Sequence, residues 1–282
     1  MAAVREPLTG APEAMDLRLV SGRQLDPLLL EETVEWDRDL DWDFRHSAEL
    51  VRQYAEARAL TGIALMQRGE VSGYSYAVIE DRKGLVGDLY VRSLWRTPEA
   101  EANLLRMMLD TLTGTVPVRR VECQLMLIGR ETAEILQHMA PSVRCHERLL
   151  LTRDLDDVAA RQHPGYAAWA GIYPGFSAGP DVPADFRAEQ WADHHHTASA
   201  HVIATAYDGH IDSEINDQYR TPAGAHRFLY NIVQYPGCGA FFRGASHIAF
   251  DRGTGAPAGI VLASQVAPET GHITQLCITK DA

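Results

Sequence analysis

The same succession of elements is written twice along this chain, and that repetition restricts its possible folds more than any single motif does. Each half reads as a short strand, two helices, and three strand-like runs joined by tight turns. In the first half Asp16–Val20 alternates as a strand, and Leu25–Trp36 and Ala48–Ala59 have helical apolar spacing with acids and arginines opposite. The runs Thr61–Gln67, Ser72–Ile79 and Leu85–Val91 follow, separated by Arg68-Gly69-Glu70 and by a turn ending at Gly84. In the second half Phe186–Glu189 is the strand. Thr197–Tyr207 and Ser213–Val233 are the helices, with a break at Pro222. The runs are His247–Asp251, Ile260–Gln265 and Ile273–Ile278. A repeat this long is not a solenoid unit. The pattern predicts an α/β protein (α+β, mixed sheet) made of two copies of one domain, the second incomplete.

Only the first half continues past its three runs. Thr97 suits an N-cap and Pro98 a first helical position, after which Leu104, Leu105, Met108 and Leu112 fall on one face. Arg120–Leu127 reads as a strand, Glu131–Met139 as a helix and Arg148–Arg153 as a closing strand. The start of the chain lacks the apolar core of a signal peptide, so residues 1–14 are expected to be a disordered leader. Domains are expected over 15–155 and 185–282, the latter stopping after its fourth strand. The turn-rich stretch 156–184 between them, with its Pro-Gly pairs, reads as a linker.

Composition removes several function classes. A net charge of −12 argues against a general nucleic-acid binder. No run of about 18 apolar residues is available for a membrane span. Cys123, Cys145, Cys238 and Cys277 are widely spaced and form no C-x-x-C pair, so structural disulfides are not expected and a reducing cytoplasm fits.

The element order, together with the strand His272-Ile-Thr-Gln-Leu-Cys-Ile278, resembles the GNAT superfamily of N-acetyltransferases in a tandem form: two acyl-CoA N-acyltransferase-like domains in one chain. The resemblance implies acetyl transfer from acetyl-CoA, as co-substrate and without a metal, to a small-molecule or peptide amine by direct attack. In that family a loop of type Arg/Gln-x-x-Gly-x-Gly/Ala follows the fourth strand, and its backbone N–H groups hold the CoA pyrophosphate at a helix tip. In the first half Arg96 matches the first position, but Glu99 and Glu101 stand where the glycines belong. Carboxylates there complement the helix dipole and repel a pyrophosphate, which implies a degenerate copy that does not take CoA. In the second half Leu276, Cys277 and Ile278 match the strand segment whose main chain receives the pantetheine arm. The phosphate loop would begin after Ala282.

An ammonium must lose a proton before it attacks a thioester, and a base titrating near neutrality suits that task. By position in the resemblance His272 is the candidate, with Glu269 on the preceding turn as runner-up. A half-buried strand histidine without a catalytic role is the plainer reading. Asp208, Asp212 and Glu214 lie in the polar segment joining the two helices that wall the acceptor pocket in this family. They are candidates to attract a cationic amine, or else solvated cap residues, with Ser213 a natural N-cap. His194-His195-His196 and nearby His201 invite a metal reading, but no fitting acid or cysteine completes a set in sequence, so no metal site is expected. The competing functional class is a non-catalytic ligand-sensing or partner-binding tandem module, since a fold alone does not fix a function. Oligomeric state is left open.

Overall fold

The computed structural model describes residues 11–80, 82–115, 118–154, 183–235 and 237–280. They form two units, divided between Arg148 and Leu149.

The first unit begins with β1, Glu13–Asp16. The strand expected at Asp16–Val20 therefore lies earlier, and Glu13 and Ala14, expected in the leader, are paired with Met66 and Leu65; residues 1–10 lie outside the described residues. Asp16 then caps a 3-10 turn, Leu17–Leu19, which drives Leu17 fully inside. Helix α1 spans Gly22–Leu40, opened by a capping box between Ser21 and Gln24. After α2 (Arg45–Glu56) come β2 (Gly62–Gln67), β3 (Glu70–Glu80) and β4 (Lys83–Val91), an antiparallel meander. Helix α3 (Pro98–Thr115) follows, with Ala100 N–H donating to the Thr97 hydroxyl at 3.1 Å. Strand β5 (Arg120–Cys123) lies parallel to β4, and α4 (Arg130–Met139) comes after it. The sheet order is β1-β2-β3-β4-β5.

Helices cover both faces of this sheet. On one face Leu25, Leu28 and Trp36 of α1 and Val51 and Ala55 of α2 pack with Tyr74 and Tyr90. On the other Leu104, Leu105, Met108 and Leu112 of α3 pack with Leu89 and Val91. Each fully buried Leu or Met contributes roughly 2–3 kcal/mol of transfer free energy. Arg120–Leu127 is strand only to Cys123, and Arg148–Arg153 is not a strand: Leu149 and Leu151 are exposed and the segment has no ladder partner among the described residues. Three consecutive leucines carry no period-2 alternation, so neither side of that segment is marked for burial.

In the second unit β6 (Phe186–Gln190) leads through a 3-10 turn, Asp193–His195, into α5 (His196–Ala206). Short α6 (Ile211–Ile215) and a 3-10 turn, Asp217–Arg220, precede α7 (Pro222–Gln234). Pro222 starts this helix instead of breaking one. It occupies the first turn, where its missing N–H costs nothing, and Thr221 caps it by accepting from Gly224 N–H at 3.0 Å. Ser213 is inside α6 and is not its cap; His210 fills that role, its Nδ1 accepting from Asp212 N–H. A two-residue strand absent from the sequence pattern, β7 (Ala240–Phe241), then precedes β8 (His247–Asp251), β9 (Pro257–Ala267) and β10 (Thr270–Ile278). The sheet runs β10-β9-β8-β6, with β7 also on β9. Its core gathers Val202, Ile203, Leu229, Ile248, Ile260, Leu262 and Cys277. The expected linker, 156–184, falls outside the described residues except at its end, residues 183 and 184. No helix among the described residues is long and apolar enough to cross a membrane.

Candidate functional site

β4 of the first unit and its counterpart β10 of the second carry a bulge at the same place. In β4 the pairing with β3 slips past Gly87; in β10 the pairing with β9 slips past Thr274. Counting from the bulge, Asp88 and Gln275 are equivalent, as are Leu89 and Leu276, Tyr90 and Cys277, and Val91 and Ile278. Leu85 then corresponds to His272. A Cβ on Gly87 would lie 2.2 Å from a Tyr76 ring carbon, so only glycine fits that bulge.

In the second unit β10 ends the sheet path, so one side of its backbone ladder carries no strand among the described residues. Gln275 and Cys277 are buried toward α5, whereas Leu276 and Ile278 are 65% and 62% exposed. Burial pushes the Cys277 thiol up to about 11, which keeps it protonated and unsuited to attack. Gln275 is clasped by two stacked tyrosines. Its Nε2 donates to Tyr207 Oη at 2.8 Å, and its Oε1 accepts from Tyr219 Oη at 3.3 Å. Lys280 Nζ donates to the Asp208 carbonyl at 2.7 Å.

These contacts fix where the sequence candidates lie. His272 is half-buried near the start of β10, opposite Ser264, and burial lowers its imidazole pKa so that the neutral form dominates at neutral pH. Glu269 is on the turn just before β10. Asp208 is beside Lys280, its carbonyl accepting from Lys280 Nζ. Asp212 lies on α6 beside His210, 3.7 Å from its Nδ1, and Glu214 lies on the same short helix. The fold thus brings Tyr207, Asp208, Tyr219, Gln275 and Lys280 together. The tyrosine–glutamine clasp had no signal in the sequence beyond the polar residue at an inward position of β10.

In the first unit the loop after β4 is saturated by carboxylates. Ser93 N–H donates to Glu31 Oε1 at 2.5 Å and Arg92 Nε donates to Glu31 Oε2 at 3.1 Å. Arg92 also reaches Glu70 at 2.9 Å. Arg96 makes a forked pair with Glu35, its Nη2 lying 2.8 Å from Oε2, and its Nε is 3.6 Å from Glu101. Glu101 is buried and accepts from the Thr132 hydroxyl at 2.6 Å, while Glu99 is exposed. A cleft of about 270 Å³ opens beside this loop, lined by Leu65, Gln67, Val91, Trp95, Arg96 and Thr97 among others.

Deeper in the same unit is a pair of acids that sequence reasoning did not single out. Glu32 of α1 is completely buried against Asp88 of β4, itself 7% exposed. Tyr74 Oη donates to Glu32 Oε2 at 3.0 Å, and Leu89 N–H donates to Asp88 Oδ1 at 2.8 Å. Burial and the neighbouring Asp88 carboxyl push the Glu32 pKa well up; burial raises that of Asp88 to about 6. Glu32 Oε1 has no hydrogen-bond donor within range among the described residues, and a proton on one of the two acids lets Glu32 and Asp88 bond to each other instead of repelling.

The histidine run gains an acid in three dimensions. Glu189 of β6 lies beside His194 and His195, with His195 Nε2 3.2 Å from Glu189 Oε2. The tautomer argues against a metal. Ala192 N–H donates to His195 Nδ1 at 3.1 Å, so Nε2 carries the proton and Glu189 accepts it. Arg187 also pairs with Glu189. Arg187, Glu189 and His195 form a bonded knot at the entrance to α5, with the His194 ring against that of His195.

No family model matches the sequence, and no curated protein matches it. Solved structures do match. A GCN5-related N-acetyltransferase from Sphaerobacter thermophilus is similar over 96% of this chain and 76% of its own, at 13% identity and a TM-score of 0.53. A tandem GNAT protein from the clavulanic acid biosynthesis pathway aligns over 96% of this chain and 80% of its own, at 14% identity and a TM-score of 0.44. An aminoglycoside N-acetyltransferase solved with CoA covers 53% of this chain with 98% of its own, at 13% identity and a TM-score of 0.34. On the first of these, together with the layers and strand order above, the chain has the fold of the GCN5-related N-acetyltransferases, laid out as two units.

Proposed function

We propose that this chain belongs to an acetyl-CoA-dependent N-acetyltransferase, with the second unit as the catalytic one and the first as a copy that does not take the cofactor. The observation that carries the reading is the equivalence of β10 to β4 about the bulge: β5 pairs with β4 before it, at Lys83–Val86, and the stretch after it, equivalent to Gln275–Ile278, lies beyond that pairing as a ladder edge in a fold of this kind. Backbone groups of Leu276, Cys277 and Ile278 on such an edge are suited to receive the amide-bearing pantetheine arm as an added strand. The amine nitrogen attacks the thioester carbon, the C–S bond breaks, and CoA leaves as the thiol once the ammonium proton has been removed. His272, kept neutral by its burial, is the proposed base, directly or through a water, with Glu269 as second choice. Asp208, Asp212 and Glu214 supply negative charge for a cationic acceptor.

Acetyl-CoA calorimetry combined with a thiol-release assay on an amine panel tests this. His272→Gln is expected to lower kcat by about 10²-fold or more while acetyl-CoA affinity stays unchanged. An unchanged kcat would remove the base assignment. Loss of acetyl-CoA binding in Arg96→Met would move the cofactor to the first unit and sink the division of labour.

A further inference from the structure

The loop joining β4 to α3 in the first unit carries three groups suited to an oxyanion: the Arg92 and Arg96 guanidiniums and the Ser93 N–H. Each is already met by an acid of α1. Glu31 takes Ser93 N–H and Arg92 Nε, and Glu35, one helical turn later, takes Arg96. Glu35 Oε2 also accepts from Tyr90 Oη at 2.8 Å, and the Arg96 guanidinium lies 4.6 Å from the centre of the Tyr90 ring. Glu70 and Glu101 complete the charge around the two arginines. Partial burial alone would raise the Glu31 and Glu35 carboxyls, yet both lie below the ordinary range. Ser93 and Arg92 hold Glu31 there, and Arg96 and Tyr90 hold Glu35. These acids are therefore bound anions in the chemical sense, seated in a donor set that includes a backbone amide.

We propose that Glu31 and Glu35 are a built-in substitute for a diphosphate: an autoinhibitory contact in which α1 fills the loop with the protein's own negative charge. This deepens the reading of the first unit as a copy that does not take the cofactor, and it places the block in α1 as well as in Glu99 and Glu101. The cleft bordering Arg96 and Thr97 gives an anion a route to the loop once the α1 charges are gone.

The test is calorimetry of inorganic pyrophosphate at low salt with the full chain, the double variant Glu31→Gln/Glu35→Gln, and that variant with Arg96→Met added. Glutamine keeps the shape and the acceptor oxygen but removes the charge. The double variant is expected to bind pyrophosphate on the order of tenfold or more tighter than the parent, and Arg96→Met to reverse the gain. A folded double variant, checked by circular dichroism, that binds no better than the parent overturns the proposal. If the double variant does not fold, Glu31→Gln alone serves, since its carboxylate is partly exposed. A smaller gain that Arg92→Met reverses supports the proposal, and no gain overturns it. Pyrophosphate binding by the parent that Arg96→Met abolishes defeats the reading of the first unit as well, which separates the two failures.

Discussion

Replacing Asp88 by asparagine should change how stability depends on pH. In the folded first unit the Asp88 carboxyl is pushed from its ordinary value near 3.8 up to about 6 by burial. The folded state therefore binds more protons than the unfolded chain between those values, and stability falls as pH rises through that window. The displacement is about 2 pH units, or roughly 3 kcal/mol lost by pH 7, with Glu32 adding a further decline at higher pH because its carboxyl is raised too. Asparagine keeps the oxygen that accepts from Leu89 N–H and offers its amide to Glu32 Oε1 without ionising. The variant should lose the decline between about pH 4 and 6. At pH 7–8 it should be more stable than the parent by up to ~3 kcal/mol, on the order of 10 °C in the melting of this unit. Hydrogen exchange of α1 and β3 amides as a function of pH isolates the first unit from the second. Parallel pH profiles for parent and Asp88→Asn would show that the pair does not share a proton and would refute the reasoning.

Other perturbations have equally definite outcomes. Gly87→Ala forces the Tyr76 ring aside and should destabilise the first unit by about 1–3 kcal/mol in a thermal melt. Gln275→Ala removes one hydrogen bond from each of the Tyr207 and Tyr219 hydroxyls and empties a buried side-chain site, and should cost the second unit about 1–3 kcal/mol, against about 1 for Tyr207→Phe, in urea unfolding. Ser21→Ala breaks the capping box of α1 and should cost about 1 kcal/mol by the same measurement.

How much of this was legible in the sequence depends on how local the cause was. The apolar stripe of α3 was readable because Leu104, Leu105, Met108 and Leu112 encode one helix face, and all four are buried. Pro222 was misjudged because a proline that starts a helix and one that breaks it differ only in register. The Glu32–Asp88 pair is hidden in the sequence because acids on a helix with an apolar stripe belong by default on its solvent side. Yet Leu25, Leu28, Glu32 and Trp36 follow the core spacing, and that periodicity held the clue. The acid that joins His194 and His195 is five residues upstream of His194, on a strand whose direction only the fold reveals. The clasp on Gln275 links positions 68 and 56 residues apart and had no local signature.

The position of β10 in the chain sets an order of assembly during synthesis. The first unit has all its described strands and helices once residue 139 has emerged, so it can close while the rest is still being made. The second unit draws Cys277 into its core and seats Gln275 between Tyr207 and Tyr219. Until β10 leaves the ribosome, those two tyrosines and the inner edge of β9 wait uncovered, within reach of nascent-chain partners such as chaperones.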